Sequence, residues 1–117
     1  MRFTKTTIQQ ATNLLLKSKN VALFAHTRPD ADALGSSVAL HLALAKANIS
    51  SQVFCDSPLS QEMIDMGFDQ YVKSEFFGQY DLYVSVDCGD ANRIGEFAPV
   101  FTSQKNTLTI DHHGGEY

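Results

Sequence analysis

Apolar residues along this chain recur at two spacings, and the alternation between them predicts the fold. Across residues 6–19, Ile8, Ala11, Leu14 and Leu15 fall at helical intervals with good helix formers between them, and Lys17 and Lys19 close the stretch where cations suit the helix dipole. This is an amphipathic helix. Val21-Ala22-Leu23-Phe24-Ala25 has no polar alternation, which is how a parallel strand covered on both faces reads. From Asp32 or Ala33 to about Ala47 the chain is dense in alanine and leucine and free of proline, which predicts a second helix with Asp32 capping its first turn. Residues 51–55 read as a short strand, residues 60–66 as a short helix ended by Gly67, and Tyr71-Val72 as a small extended piece. Residues 81–86 form a clear strand, residues 94–103 a short helix interrupted at Pro99, and residues 107–110 a last strand. The order predicts an α/β unit, a mostly parallel sheet with helices on both faces, with no internal repeat or linker. Open sheets of that kind bind ligands in the crevice beyond the carboxyl ends of their strands.

Those ends are where the chemically active residues gather. The first strand runs into His26-Thr27-Arg28-Pro29-Asp30-Ala31-Asp32-Ala33-Leu34-Gly35-Ser36, a turn stiffened by Pro29. Asp30 and Asp32 are too close to ionise comfortably together without a cation, and His26 makes a carboxylate and imidazole mixture suited to manganese, iron or zinc. Gly35 removes side-chain bulk where the helix would approach the site, while the helix N-terminus and Arg28 favour a phosphate. The strand over residues 81–86 ends at Asp87, followed by Cys88-Gly89-Asp90, and the last strand ends at Asp111-His112-His113. Adjacent imidazoles point in different directions and can do different jobs.

Each cluster also has a plainer reading. Asp30 and Asp32 would serve as an Asx turn and a helix cap, Asp87 as a cap for the following segment, and the paired histidines as surface residues. Asp90 suits the capping role better than Asp87 does. Acid or imidazole at three strand ends together favours function. His41, inside the alanine-rich helix with no acidic neighbour, reads as partly exposed and without a catalytic role.

Composition narrows the classes. A chain of 117 residues is at most one domain, and 44% hydrophobic with 19% charged residues is ordinary for a globular protein. The net charge of −4 argues against a generally basic nucleic-acid-binding surface, although several of the acids sit at the candidate site and would be offset by bound cations. Cys55 and Cys88, without close spacing, read as reduced packing thiols, which makes the cytoplasm the expected compartment. No stretch resembles a signal peptide or approaches the ~18 apolar residues of a membrane span.

Taken together, the segment from His26 to Ser36, the strand-end Asp87 and the Asp111-His112-His113 triplet resemble the motifs of the DHH phosphoesterase family in order, type and spacing. The resemblance covers almost the whole chain and implies a three-layer, Rossmann-like catalytic domain with two divalent cations, usually Mn2+. It implies that His26 and Asp30 hold one cation, Asp32 and His112 the other, and that Asp87 bridges both. Two cations about 3.5–4 Å apart clamp a phosphate and lower the pKa of a shared water for in-line attack. His113 and Arg28 would contact phosphoryl oxygens, Ser36 would serve the phosphate or the helix turn, and Asp111 would orient a histidine rather than bind metal. Family members continue into a fourth motif and a second domain, DHHA1, that this sequence lacks, so it looks like the N-terminal portion of such an enzyme, with weak activity expected.

Within the family the first motif looks most like the branch that hydrolyses short oligonucleotides and 3′-phosphoadenosine 5′-phosphate. A cyclic dinucleotide or single-stranded DNA is the alternative substrate, and a non-catalytic nucleotide- or metal-binding module is the alternative class. The expected partners are a short oligonucleotide or phosphorylated nucleotide, no membrane, and a second copy of the chain through an open sheet edge.

Overall fold

The computed structural model describes residues 7–25, 31–86, 95, 97–104 and 106–110. In chain order the elements are α1 (Ile8–Lys17), β1 (Asn20–Phe24), α2 (Ala31–Lys46), β2 (Ser50–Phe54), α3 (Gln61–Asp65), a 3-10 turn (Phe68–Gln70), β3 (Val72–Lys73), β4 (Leu82–Val86), α4 (Ala98–Thr102) and β5 (Thr107–Ile110). The five strands form one sheet in the order β3-β2-β1-β4-β5, and every pairing is parallel.

Strand alternation sorts the sheet into two chemically distinct faces. Val21 and Leu23 of β1, Val53 of β2, Leu82, Val84 and Val86 of β4 and Leu108 of β5 meet Leu34 and Leu44 of α2 and Met63 of α3 in an aliphatic layer. Ala11 and Leu15 of α1 pack at its margin. The intervening residues Ala22, Phe24, Phe54 and Tyr83 meet Phe97 and the α4 residue Phe101 in an aromatic layer, flanked by Phe76 and Tyr80. Phe24 is its hub, with ring centroids of Phe54, Phe76, Tyr83, Phe97 and Phe101 between 5.6 and 6.4 Å away. Helices therefore cover both faces, as the strand and helix alternation predicts.

Local chemistry explains most boundaries. α1 begins after Thr7, whose Oγ1 accepts from the Gln10 N–H while Gln10 Oε1 accepts from the Thr7 N–H, a reciprocal cap. α2 ends where Asn48 adopts a left-handed φ of 63° and the Ile49 N–H reaches back to the Leu44 carbonyl. Ser60 caps α3, and Gly67 at φ 84° follows it as the sequence predicts.

Two expectations are corrected. α2 starts at Ala31, so Asp32 is not its N-cap but lies within the first turn, where the dipole still favours a carboxylate. Pro99 does not interrupt α4. It occupies the first turn of α4, where a missing N–H breaks no intrahelical bond.

Candidate functional site

All five strands run the same way, so their carboxyl ends lie along one edge of the sheet. From β1 the chain steps outward to β2 and β3, then returns across β1 to place β4 and β5 on the other side. The order of strands thus reverses between β1 and β4, and a crevice forms beyond the carboxyl ends at such a switch point. Phe24 of β1 pairs with Ser85 of β4, and Val86 of β4 with Ile110 of β5, so these three strands end nearly level. Neighbouring strands lie about 4.8 Å apart, which puts the ends of β1, β4 and β5 within about 10 Å.

In sequence, these ends lead to His26, Asp87 and Asp111. His26, Arg28, Asp30, Asp87, Asp111, His112 and His113 lie outside the described residues, as do Cys88 and Asp90. Asp32 is the second residue of α2, and Ser36 is solvent-exposed in the second turn of the same helix. What the fold brings together is therefore the set of strand ends, with the start of α2 following β1. Among the described residues no group of three or more His, Cys, Asp or Glu could hold a metal ion.

Several residues acquire roles that the pattern of strands and helices did not announce. Ser85, fully buried among apolar residues of β4, donates to Thr109 Oγ1 of β5 at 3.0 Å and fastens these strands just before their ends. Its signal was a serine in an otherwise apolar strand with a threonine on a later one. Asp81 does the corresponding work at the amino edge. Its Oδ2 accepts from the Lys19 N–H at 2.8 Å and its Oδ1 from the Asn20 N–H at 3.0 Å, tying the start of β4 to the start of β1. Partial burial raises the Asp81 pKa, but these two N–H groups, its own N–H and the Lys19 charge outweigh that and hold it below the usual carboxylate value.

Gly35 sits in the second turn of α2. A Cβ there would meet the Phe68 ring at 3.7 Å, an ordinary contact, while the strand-end residues that this glycine was expected to clear lie outside the described residues. His41 is half-buried, with Nδ1 2.7 Å from Ser51 Oγ and its ring 5.5 Å from that of Tyr71, and joins α2 to the edge of the sheet. Cys55 is buried in the aliphatic layer; burial raises its thiol pKa and disfavours the reactive thiolate, in keeping with a packing role. Among the described residues no helix is long and apolar enough to cross a membrane.

An open parallel α/β sheet with polar strand-end sequences on either side of its switch point defines a class of ligand-binding and catalytic domains. The family described as "DHH family, N-terminal domain" matches residues 20–117, and the chain belongs to it. The fold is also similar to the crystal structure of an exopolyphosphatase-related protein from Bacteroides fragilis, with a TM-score of 0.81 and 19% sequence identity. The match covers 94% of this chain and 35% of that one, so the chain spans about a third of the length of that protein.

Proposed function

We propose that this chain carries the metal-binding part of a phosphoesterase that hydrolyses phosphate esters of short oligonucleotides or of 3′-phosphoadenosine 5′-phosphate. The observation that carries the reading is the DHH family match over residues 20–117, which takes in His26, Asp30, Asp32, Asp87 and the Asp111-His112-His113 triplet. The level ends of β1, β4 and β5 support it, because they lead the chain into those residues from adjacent positions on one edge. The donor set fits the metal. Carboxylates and imidazoles without thiolate suit Mn2+ better than they suit a soft ion.

In this reading His26 and Asp30 would hold one cation, Asp32 and His112 the other, and Asp87 would serve both. The cations, when bound, neutralise charge on the phosphoryl group and acidify water at neutral pH. Arg28 and His113 hold the phosphoryl oxygens and fix the ester for in-line displacement, with Ser36 at the phosphate or the helix turn. Asp111 holds a neighbouring imidazole in its working orientation. The net charge of −4 favours a short substrate over a long single strand, which needs an extended basic groove.

The test is hydrolysis by the purified chain of the 5′-phosphorylated dinucleotide pApA, of 3′-phosphoadenosine 5′-phosphate and of inorganic tripolyphosphate, with and without Mn2+. Slow turnover of the nucleotides that EDTA abolishes and Mn2+ restores is expected. Asp87→Asn should lower it at least about 100-fold, the usual scale for removing a group that stabilises transition-state charge. Turnover indifferent to EDTA would overturn the metal assignment. Hydrolysis of tripolyphosphate alone would move the substrate to a polyphosphate, in line with the exopolyphosphatase-related B. fragilis protein.

A further inference from the structure

We infer that the cavity at the carboxyl ends of β2 and β3 receives the base of a nucleotide substrate and that Asp69 selects guanine there; this deepens the nucleotide reading above and rests on it. The cavity, of about 250 Å³, is framed by the loop from β2 to α3, by α3 itself, by the 3-10 turn and by the end of β3. Leu59, Ile64 and Val72 give it apolar walls, and Ser57, Asp69 and Ser74 supply polar groups. Apolar walls with a few polar groups among them are the usual make-up of a small-molecule site. Ile64 is 41% exposed, so part of the apolar wall is open to a ligand. The Ser57 hydroxyl donates to Asp56 at 3.2 Å, whereas the Asp69 carboxylate and the Ser74 hydroxyl make no hydrogen bond among the described residues.

Topology places the cavity beside the strand ends that lead to the proposed ligands. Cys55, which also lines it, follows the last residue of β2, and continuing the register of β1 and β2 by one residue sets it level with Ala25, the residue before His26. The Ala25 N–H donates to the Phe54 carbonyl at 3.0 Å and the Cys55 N–H to that of Lys73 at 3.1 Å, so the pairing does continue. Neighbouring strands lie about 4.8 Å apart, and the cavity therefore begins one strand away from β1. On its other side Asp69 follows Phe68, whose ring lies against α2 at Gly35, about one helical turn from Asp32. The order β3-β2-β1-β4-β5 is also that of the dinucleotide-binding α/β fold through its fifth strand, where the phosphates sit at the helix after β1 and the nucleoside extends over β2.

The chemistry of the cavity excludes a phosphate and suits a base. Asp69 lines it and Asp56 adjoins it, so an anion is repelled. Its volume falls below the ~300–1,000 Å³ of sites that enclose a drug-sized ligand, which fits one base rather than a whole dinucleotide. An ionised carboxylate only accepts hydrogen bonds. Among the common bases guanine alone presents two adjacent N–H donors on one edge, N1–H and the 2-amino group. Adenine sets one donor beside an acceptor, which a carboxylate leaves unpaired.

The experiment titrates GMP, AMP and ribose 5-phosphate into wild type, Asp69→Asn and Ile64→Trp by isothermal calorimetry with Mn2+ present, each protein confirmed as folded by a thermal melt. Ribose 5-phosphate carries the phosphate without a base and reports the phosphate site by itself. Wild type should bind GMP about 5- to 100-fold more tightly than AMP, the range of a bidentate contact to a base edge, and both more tightly than ribose 5-phosphate. Asp69→Asn, which exchanges one acceptor oxygen for a donor, should bring GMP to the level of AMP. Ile64→Trp, which fills the cavity, should bring both nucleotides to the level of ribose 5-phosphate. Equal affinity for GMP and AMP in wild type, or a guanine preference that survives both substitutions, would overturn the inference, while binding of ribose 5-phosphate leaves the phosphoesterase reading in place. Cleavage of tripolyphosphate with no binding of either nucleotide would mean that the substrate reading itself fails and takes the inference with it.

Discussion

Replacing Asp81 by alanine removes one carboxylate and with it the tie between the amino ends of β1 and β4. Hydrogen bonds to a charged acceptor contribute about 1.5–3 kcal/mol when shielded. Asp81 is exposed and its two donors are backbone groups that water can reach, so solvent screening reduces the pair to about 1–2 kcal/mol in total. For a domain of this size that corresponds to a fall in Tm of roughly 4–10 °C. The pH dependence has a definite sign. The folded-state pKa lies below the unfolded value of about 3.9, so the contribution is fully present above pH ~4 and is lost as pH falls through the folded pKa. Urea unfolding, followed by the fluorescence of the 4 tyrosines, should show a constant gap between wild type and Asp81→Ala from pH 5 to 8. The gap should close below pH 4. Asp81→Asn, which keeps a single acceptor oxygen, should lose part of the stability at neutral pH and show less of this acid dependence. A gap as large at pH 3 as at pH 7 would refute the carboxylate as the source, and no gap at pH 7 would refute the tie.

Phe24→Ala should cost about 3–5 kcal/mol, a large share of the stability of a small domain, because the hub of the aromatic layer becomes a cavity; the urea midpoint measures it, and a loss below 1 kcal/mol would mean the layer collapses to fill the space. Gly35→Ala should instead raise stability by about 0.5–1 kcal/mol, since α2 gains helix propensity and the new methyl finds ordinary contact with Phe68; a lowered Tm would show crowding there. Ser51→Ala should cost about 0.5–1.5 kcal/mol through the lost contact with His41 Nδ1, read by the same urea titration, and a neutral result would show that water replaces it.

The readable parts of this chain were those in which local pattern and tertiary environment agree. Residues 107–110 appear as β5 without adjustment, and the apolar run of residues 21–25 is offset from β1 by one residue at each end, because a strand buried on both faces leaves little ambiguity in its pattern. The helical spacing of Ile8, Ala11, Leu14 and Leu15 located α1 but did not fix how far it is buried. Ile8 is 88% exposed and none of the helix is fully buried, since periodicity records which residues share a face and not whether anything covers it. Pro99 read as a break because its compatibility with a first turn depends on where the helix starts, which the spacing alone did not locate. The strand ends bearing the candidate ligands were legible from where apolar runs stop. Their adjacency was not, because strand order follows from crossovers that no local pattern encodes.

Adjacency alone does not make a site, since the level of each strand end matters as much as the order of the strands. A parallel strand that slips by one residue moves its end about 3.3 Å and exchanges its two faces. In this sheet that exchange would push Phe24 into the aliphatic layer and Val21 and Leu23 into the aromatic one, so the chemical difference between the layers opposes it. A slip by two residues keeps the faces and moves the end about 6.6 Å, more than the ~3.5–4 Å that separates paired catalytic cations. The layers do not oppose that slip. Asp81 does, by accepting from consecutive N–H groups at the start of β1, and Ser85 does for β5 through Thr109. The register that would bring His26, Asp87 and Asp111 to one level is thus held partly from the far edge of the sheet, about five residues from the proposed chemistry. A variant at Asp81 should therefore disturb metal affinity beyond its effect on stability, and isothermal titration with Mn2+ at a temperature where both proteins are fully folded separates the two. Equal affinity in wild type and Asp81→Ala would mean that the apolar layers and Ser85 suffice to hold the register.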